Sequence, residues 1–183
     1  MDTLVPEIEK ALIVFVTLPA VLAGSAGDSA AQDYQRTVES QLTEIAACDG
    51  VTPYVFFDPP EADEEIAEWL GAFEDRFAFA AHVDEEPAAQ IKAAFRRIFN
   101  RNATQKVVVI TSPSSRLNRQ AIADAFAALD ATDLVIAPST GNSCSLIGIS
   151  KWHPWLFEAG VLDSVESTHQ AAVTANATVT RLS

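Results

Sequence analysis

Two cysteines, Cys48 and Cys144, are all that the 183-residue chain contains, and neither sits in a Cys-x-x-Cys or Cys/His cluster. A disulfide framework and a structural zinc site are excluded. Cys144 has no His or Asp near it in sequence, so both cysteines read as plain small residues rather than nucleophiles. Glycine is scarce too, at seven residues. None of them builds a P-loop, a Gly-x-Gly-x-x-Gly fingerprint or a Gly-x-Ser-x-Gly elbow. Positive charge is sparse: 12 Lys and Arg stand against 25 Asp and Glu, a formal net charge of −13. That sign argues against general binding to nucleic acid or an anionic membrane and reads as solubility. The apolar stretch Ala11–Ala23, with Gly24-Ser25-Ala26 after it, imitates a signal peptide. Its leading region does not, because Asp2, Glu7 and Glu9 outweigh Lys10. The run is too short for a membrane span. A buried first strand explains it better, and the expectation is a soluble, cytoplasmic protein.

What is present reads as one globular α/β domain over residues 1–183. Apolar content is 49% and charged content 20%, which argues against disorder. Short apolar runs alternate with amphipathic stretches. Strands are expected at Ala11–Thr17, Tyr54–Phe57, Phe77–Ala81, Lys106–Thr111, Leu134–Ala137, Ser145–Ile149 and Thr178–Arg181. Asp28 or Ser29 is placed to cap a helix with Ala31, Tyr34, Val38, Leu42 and Ile45 on its apolar side. Pro59-Pro60 is expected to open a second helix, with Glu61, Asp63, Glu64 and Glu65 in its first turn. Pro87 opens a third, carrying Ile91, Phe95 and Ile98, and Asn118 caps a fourth. A last helix spans Ser164–Ala175. Such alternation specifies helices on both faces of a mostly parallel sheet, with Lys106–Thr111 at its centre.

Charge is unevenly spread. From Asp58 to Glu86 there are eleven acids and one base, Arg76; from Lys92 to Arg119 there are seven bases and no acid. Two solvated helix faces of opposite sign account for this, in preference to a basic rim beside Ser112–Arg116. His82-Val83-Asp84-Glu85-Glu86 is a compact His-carboxylate cluster. It reads as an acidic helix start rather than a cation site. Trp152-His153-Pro154-Trp155 reads as cover for a core edge, with Pro154 opening a short helix.

The chemistry turns on two segments. Val107-Val108-Val109-Ile110 leads into Thr111-Ser112-Pro113-Ser114-Ser115-Arg116-Leu117, and Leu134-Val135-Ile136-Ala137-Pro138 is followed by Leu146-Ile147-Gly148-Ile149. Both apolar runs read as buried parallel strands. The loops beyond such strands are where α/β folds build sites. Here those loops hold hydroxyls, an Arg and a Gly, and no Asp, Glu or His. Backbone N–H groups of Gly24-Ser25-Ala26-Gly27, between a strand and a helix, offer one further place for an anion.

These segments resemble the DUF2064 family, glycosyltransferase-like proteins with a nucleotide-diphospho-sugar transferase (GT-A) fold. After its fourth strand that family reads Gly-Thr-Asp-Ser-Pro-Asp-Leu, which puts its acids on Pro113 and Arg116. After the next strand its Gly-Pro, Asp-Gly-Gly-Tyr-Tyr and Leu-Ile-Gly match Pro138 and Leu146-Ile147-Gly148, but put the Asp on Gly141, the glycines on Asn142 and Ser143 and the tyrosines on Cys144 and Ser145. Its early Lys-Thr-Arg has no counterpart, since no Lys or Arg lies between Lys10 and Arg36. Ala94-Phe95 fits a further motif, which puts His82, Glu86 and Gln90 on a Gln, an Asp and an Arg. A later Asp-Val-Asp-Thr segment finds no counterpart before the chain ends. The resemblance implies a single-domain three-layer α/β/α fold of GT-A type with a mostly parallel sheet. It implies a transferase-like protein that is catalytically impaired and acts as a binding or scaffold domain. The alternatives are an active glycosyltransferase or nucleotidyltransferase with relocated catalytic groups, and an unrelated doubly wound module. No residue is assigned a catalytic or metal-binding role. Gly24, Ser25, Ser112, Ser114, Arg116 and Thr140 are the expected ligand-binding residues. No cofactor is expected, with Mg²⁺ or Mn²⁺ entering in the active alternative alone. The expected partner is a nucleotide or phosphorylated small molecule, with no nucleic acid and no membrane; the oligomeric state stays open.

Overall fold

Lys10–Thr17 forms the first strand, β1, and all but its ends and Phe15 are buried. A computed structural model describes residues 9–82, 86–101 and 106–183, with the side chains of residues 100 and 101 excepted. The remaining strands are β2 (Thr52–Asp58), β3 (Ala78–Ala81), β4 (Lys106–Ile110), β5 (Leu134–Pro138), β6 (Cys144–Ile149) and β7 (Val179–Arg181). They form one seven-stranded sheet in the order β3-β2-β1-β4-β6-β5-β7. β4 stands at its centre, as its wholly apolar Val107–Ile110 requires.

One expectation fails here. Leu146–Ile149 is buried but not parallel: β6 runs antiparallel to both β4 and β5. The five residues between β5 and β6 are too few for a parallel crossover, so the chain turns back as a hairpin. The other pairings, β1 with β2 and β4, β2 with β3, and β5 with β7, are parallel.

Among the described residues there are six α-helices: α1 (Pro19–Ala26), α2 (Asp28–Ala46), α3 (Asp63–Leu70), α4 (Pro87–Arg101), α5 (Arg119–Ala128) and α6 (Val165–Thr174). Alternation along each strand sends side chains to two cores. Leu12, Val14 and Val16 of β1 meet Val38, Leu42 and Ile45 of α2, with α3 and α5 on the same face. Ala11 and Ile13 meet the core of the other face, built with Ile91, Phe95 and Ile98 of α4 and with α6. This is the three-layer arrangement that the sequence implies.

Local details differ from expectation. Gly27, at φ 91°, precedes α2 without a side-chain cap, and Asp28 is already helical. Pro59-Pro60 does not start α3; Pro59–Glu61 form a turn, closed by Ala62 N–H donating to Pro59 O at 3.1 Å. Asn118 does cap α5, its Oδ1 accepting from Ala121 N–H at 3.0 Å. The Trp152 ring lies 4.9 Å from Phe157 over the core edge, and Pro154–Phe157 is a single 3₁₀ turn. Gly148 marks the tightest crossing. A Cβ there would stand 2.6 Å from Val135 Cγ1, 3.0 Å from Val108 Cγ2 and 3.2 Å from Leu129 Cδ1. Only a glycine lets β4, β6 and β5 close with α5 packed over them.

Candidate functional site: a cleft at the ends of four strands

The strands β1, β2, β3 and β4 end around a cleft of about 290 Å³. Its polar lining comes from Thr17, Tyr34, Asp58, His82, Gln90, Thr111 and Ser112, and its apolar lining from Phe15, Val16 and Pro113. β1 and β2 run in register, so that Thr17 lies beside Asp58 at their shared end. His82 follows β3 at once, and its N–H donates to Phe57 O at 2.8 Å. Its ring stands edge-on to Phe15, 4.1 Å between centroids.

One helix holds two walls of this cleft. Tyr34, Gln41 and Glu44 lie along α2 at intervals of seven and three, which keeps them on one side of it. The Tyr34 hydroxyl accepts from Thr17 N–H at 2.9 Å, while burial pushes the phenol's pKa up. Gln41 is 3% exposed. Its Nε2 donates to Leu117 O at 2.8 Å and its Oε1 accepts from Ser114 N–H at 3.0 Å. Glu44 accepts from Arg119 N–H at 3.0 Å. The loop after β4 is thereby organised from within the protein. At the loop's start, Thr111 ties β4 to β6: its N–H donates to Ser145 O at 3.0 Å and its Oγ1 to Cys144 O at 2.6 Å.

Of the six expected ligand-binding residues, Ser112 lines the cleft. Ser114 and Arg116 follow on the same loop, with Arg116 exposed. Thr140 is exposed on the β5–β6 hairpin, outside the cleft lining. Gly24 and Ser25 are placed differently from expectation. They occupy the last turn of α1, where sequence reading places a loop between strand and helix. Backbone N–H groups in a last turn already serve the helix, and that end carries the negative pole. The phosphate cradle drawn from the sequence is therefore not formed by those N–H groups.

Other groups fall outside. Burial raises the Cys144 thiol pKa, which keeps the residue protonated and unreactive. Cys48 and Cys144 are both unpaired and buried. Lys92, Arg96 and Arg97 of α4 are not among the residues that line the cleft. Arg97 lies over Phe56, Arg96 over Trp152 and Lys92 over Phe157, at 5.4–6.0 Å from the ring centres. In the His82–Glu86 cluster, Val83, Asp84 and Glu85 lie outside the described residues. Among the described residues no group of three or more His, Cys, Asp and Glu could hold a metal ion. Asp58 is, among the described residues, the one carboxylate in the cleft lining.

Sequence reading missed Asp58 and Gln41. Asp58 was legible only as the start of an acidic run, although its place at the end of β2 makes it part of the cleft. Gln41 leaves a usable trace: it is the polar residue set among Val38, Leu42 and Ile45 on a buried helical face.

A family model described as an uncharacterized protein conserved in bacteria, DUF2064, matches residues 41–161. The chain belongs to the DUF2064 family. A solved structure of a candidate nucleotide-diphospho-sugar transferase from Desulfovibrio desulfuricans G20 superposes with a TM-score of 0.82 at 24% identity, over 95% of this chain and 79% of that one. The 4-diphosphocytidyl-2C-methyl-D-erythritol synthase of Anaerococcus prevotii DSM 20548 gives 0.62 at 9% identity, over 95% and 87%. A mannosyltransferase from Pyrobaculum calidifontis, solved with GDP-Man and Mn²⁺, gives 0.58 at 12% identity, over 94% of this chain and 54% of that one. No curated protein matches. At these identities the superpositions establish the GT-A fold of this DUF2064 member, which is nucleotide-diphospho-sugar transferase-like in architecture. Among its described residues no helix is long and apolar enough to cross a membrane.

Proposed function

We propose that this DUF2064 chain is a catalytically impaired relative of the nucleotide-sugar transferases. It binds a nucleotide or another phosphorylated small molecule in the cleft without a divalent cation. The observation that carries this reading is the Gln41 clamp. The loop where the fold family places acids carries none, and it is held by the α2 amide at both Ser114 and Leu117. Arg116, exposed on that loop, supplies a permanent positive charge for a phosphate. The buried, unpaired cysteines fit a reducing cytoplasm.

One observation favours an active enzyme with relocated groups: the Asp58 carboxylate at the end of β2 lines the cleft. A Mg²⁺ site needs as little as one or two carboxylates plus phosphate oxygens. Isothermal titration of UDP into wild type, Arg116→Ala and Asp58→Asn, each with and without Mg²⁺, separates the two. Our reading expects metal-independent binding that weakens roughly ten- to a hundred-fold on Arg116→Ala, the worth of about 1.5–3 kcal/mol for one charge-assisted hydrogen bond. Strictly Mg²⁺-dependent binding that ignores Arg116 and disappears in Asp58→Asn would establish the second. No binding of UDP, GDP or their sugar conjugates under any condition leaves a scaffold role.

A further inference from the structure

Among the described residues the sheet ends at β3, and β3 lacks most devices that blunt an edge. Ala78–Ala81 is short, but it has no charge, no proline and no bulge. The bond from His82 N–H to Phe57 O fixes the parity of the ladder. In a parallel pair, alternate residues bond toward opposite neighbours. Ala80, two residues before His82, therefore bonds toward β2, and the N–H and C=O groups of Phe79 and Ala81 face outward. Beside them, α3 and the turn that follows it leave a groove of about 330 Å³. Phe57, Ile66, Leu70 and Phe79 give it an apolar lining, and Asp63 and Glu74 give it negative charge. The seven acids between Glu61 and Asp75 are all exposed, and none is in an ion pair among the described residues. The adjacent cation, Arg76, is committed to the carbonyls of Ala46, Cys48 and Val51.

We propose that the β3 edge and its groove receive an extended segment of a basic protein partner, which adds to the sheet as a further strand. Outward main-chain groups on alternate residues are matched by an extended backbone rather than by a folded surface. Uncompensated acids beside an apolar groove select Lys or Arg flanking an apolar centre. The same acids exclude a second copy of this chain as the occupant. Pairing two β3 edges would bring both acidic clusters together, in a protein of net charge −13. This site lies on the flank of the sheet and does not depend on what the cleft binds.

Fluorescence anisotropy of the full chain with three labelled peptides tests the proposal. The peptides are Lys-Lys-Val-Ile-Val-Lys-Lys, its Glu-for-Lys counterpart, and Lys-Lys-Val-Pro-Val-Lys-Lys. The basic, uninterrupted peptide is expected to bind at least about tenfold tighter than the acidic one and about fivefold tighter than the Pro-interrupted one. Asp63→Lys combined with Glu74→Lys removes the preference for the basic peptide. Ala81→Pro deletes one outward N–H without touching the β2 ladder, and weakens binding about fivefold. Equal binding of the Pro-interrupted peptide overturns the proposal, because charge alone is then at work. So does the lack of saturation up to about 1 mM, or indifference to the Asp63/Glu74 reversal. Circular dichroism and Tm establish that each variant is folded; if Ala81→Pro is not, the exposed Asp63/Glu74 pair and the Pro-interrupted peptide still decide.

Discussion

The crossing of β4, β6 and β5 and the loops just beyond it are made on opposite principles. In the crossing, Val107–Ile110, Leu134–Ile136 and Leu146–Ile149 carry no polar side chain and are buried throughout, with Gly148 admitting the neighbouring strands. Packing alone specifies it, so a change of one methyl group is felt. In the loops, position is set by a few hydrogen bonds from elsewhere: Gln41 to Ser114 and Leu117, and Thr111 to Cys144 and Ser145. Such a loop exchanges its side chains freely while its backbone stays in place. A GT-A frame can therefore persist around loops that carry Pro113, Arg116 and Gly141 and no Asp or Glu. Fold and chemistry are separable here because different forces hold them.

The strongest way to break the comparison is to add atoms to the crossing. Gly148→Val places branched carbon where even a Cβ meets Val135 Cγ1 at 2.6 Å. Overpacking of this kind costs about 3 kcal/mol or more. In a chain of this size that is a fall in Tm of roughly 6–12 °C. Differential scanning calorimetry measures it. A fall below about 2 °C would show that the crossing yields easily and that packing does not define it.

The next test acts on the loop. Gln41→Leu keeps the volume and removes both hydrogen bonds, leaving Ser114 N–H and Leu117 C=O to find other partners. The expected cost is about 2 kcal/mol, read as a lower urea midpoint with unchanged slope. Hydrogen exchange sharpens the contrast. The Ser114 amide should exchange faster while the amides of Val107–Ile110 keep their protection. Equal loss of protection in strand and loop would mean that the two regions are not held separately.

This division also explains what could be read in advance. The strands were legible because Ala11–Val16 and Val107–Ile110 are wholly apolar, and such runs between turn residues have few alternatives. The direction of β6 was not, since a buried strand looks alike parallel or antiparallel. The brevity of Ser139–Ser143 was the available clue. Helix α1 was hidden by Pro19 and Gly24, which punctuate a sequence even where they form a helix's first and later turns. The cleft was half legible. Ser112 follows directly from its strand, whereas Asp58 joins it through register, and Gln41 holds the adjoining loop through a contact spanning 73 residues. No local pattern reports such a contact.

The smallest expected effect concerns a region that follows neither principle fully. His153 is 7% exposed, and among the described residues its Nε2 has no hydrogen-bond partner. Burial pulls its pKa below the usual histidine value, against the attraction of Asp133 and with the repulsion of Lys151. The folded state thus prefers the neutral ring. Its contribution to stability is complete above the unfolded pKa of about 6.5 and is lost as pH falls below that value. Asp133, held at about 2 chiefly by its bond to Lys151, loses its contribution only between about pH 4 and 2, well below this window. A second trend runs the other way: acidification relieves self-repulsion in a chain of net charge −13. A difference measurement removes it. Urea midpoints of wild type and His153→Phe, taken from pH 8 to pH 5, should differ by a margin that shifts in favour of the variant below about pH 6.5. A constant difference across that range would show that the imidazole is hydrated in solution, and that this edge of the core is held by water-mediated bonds as the loops are held by direct ones.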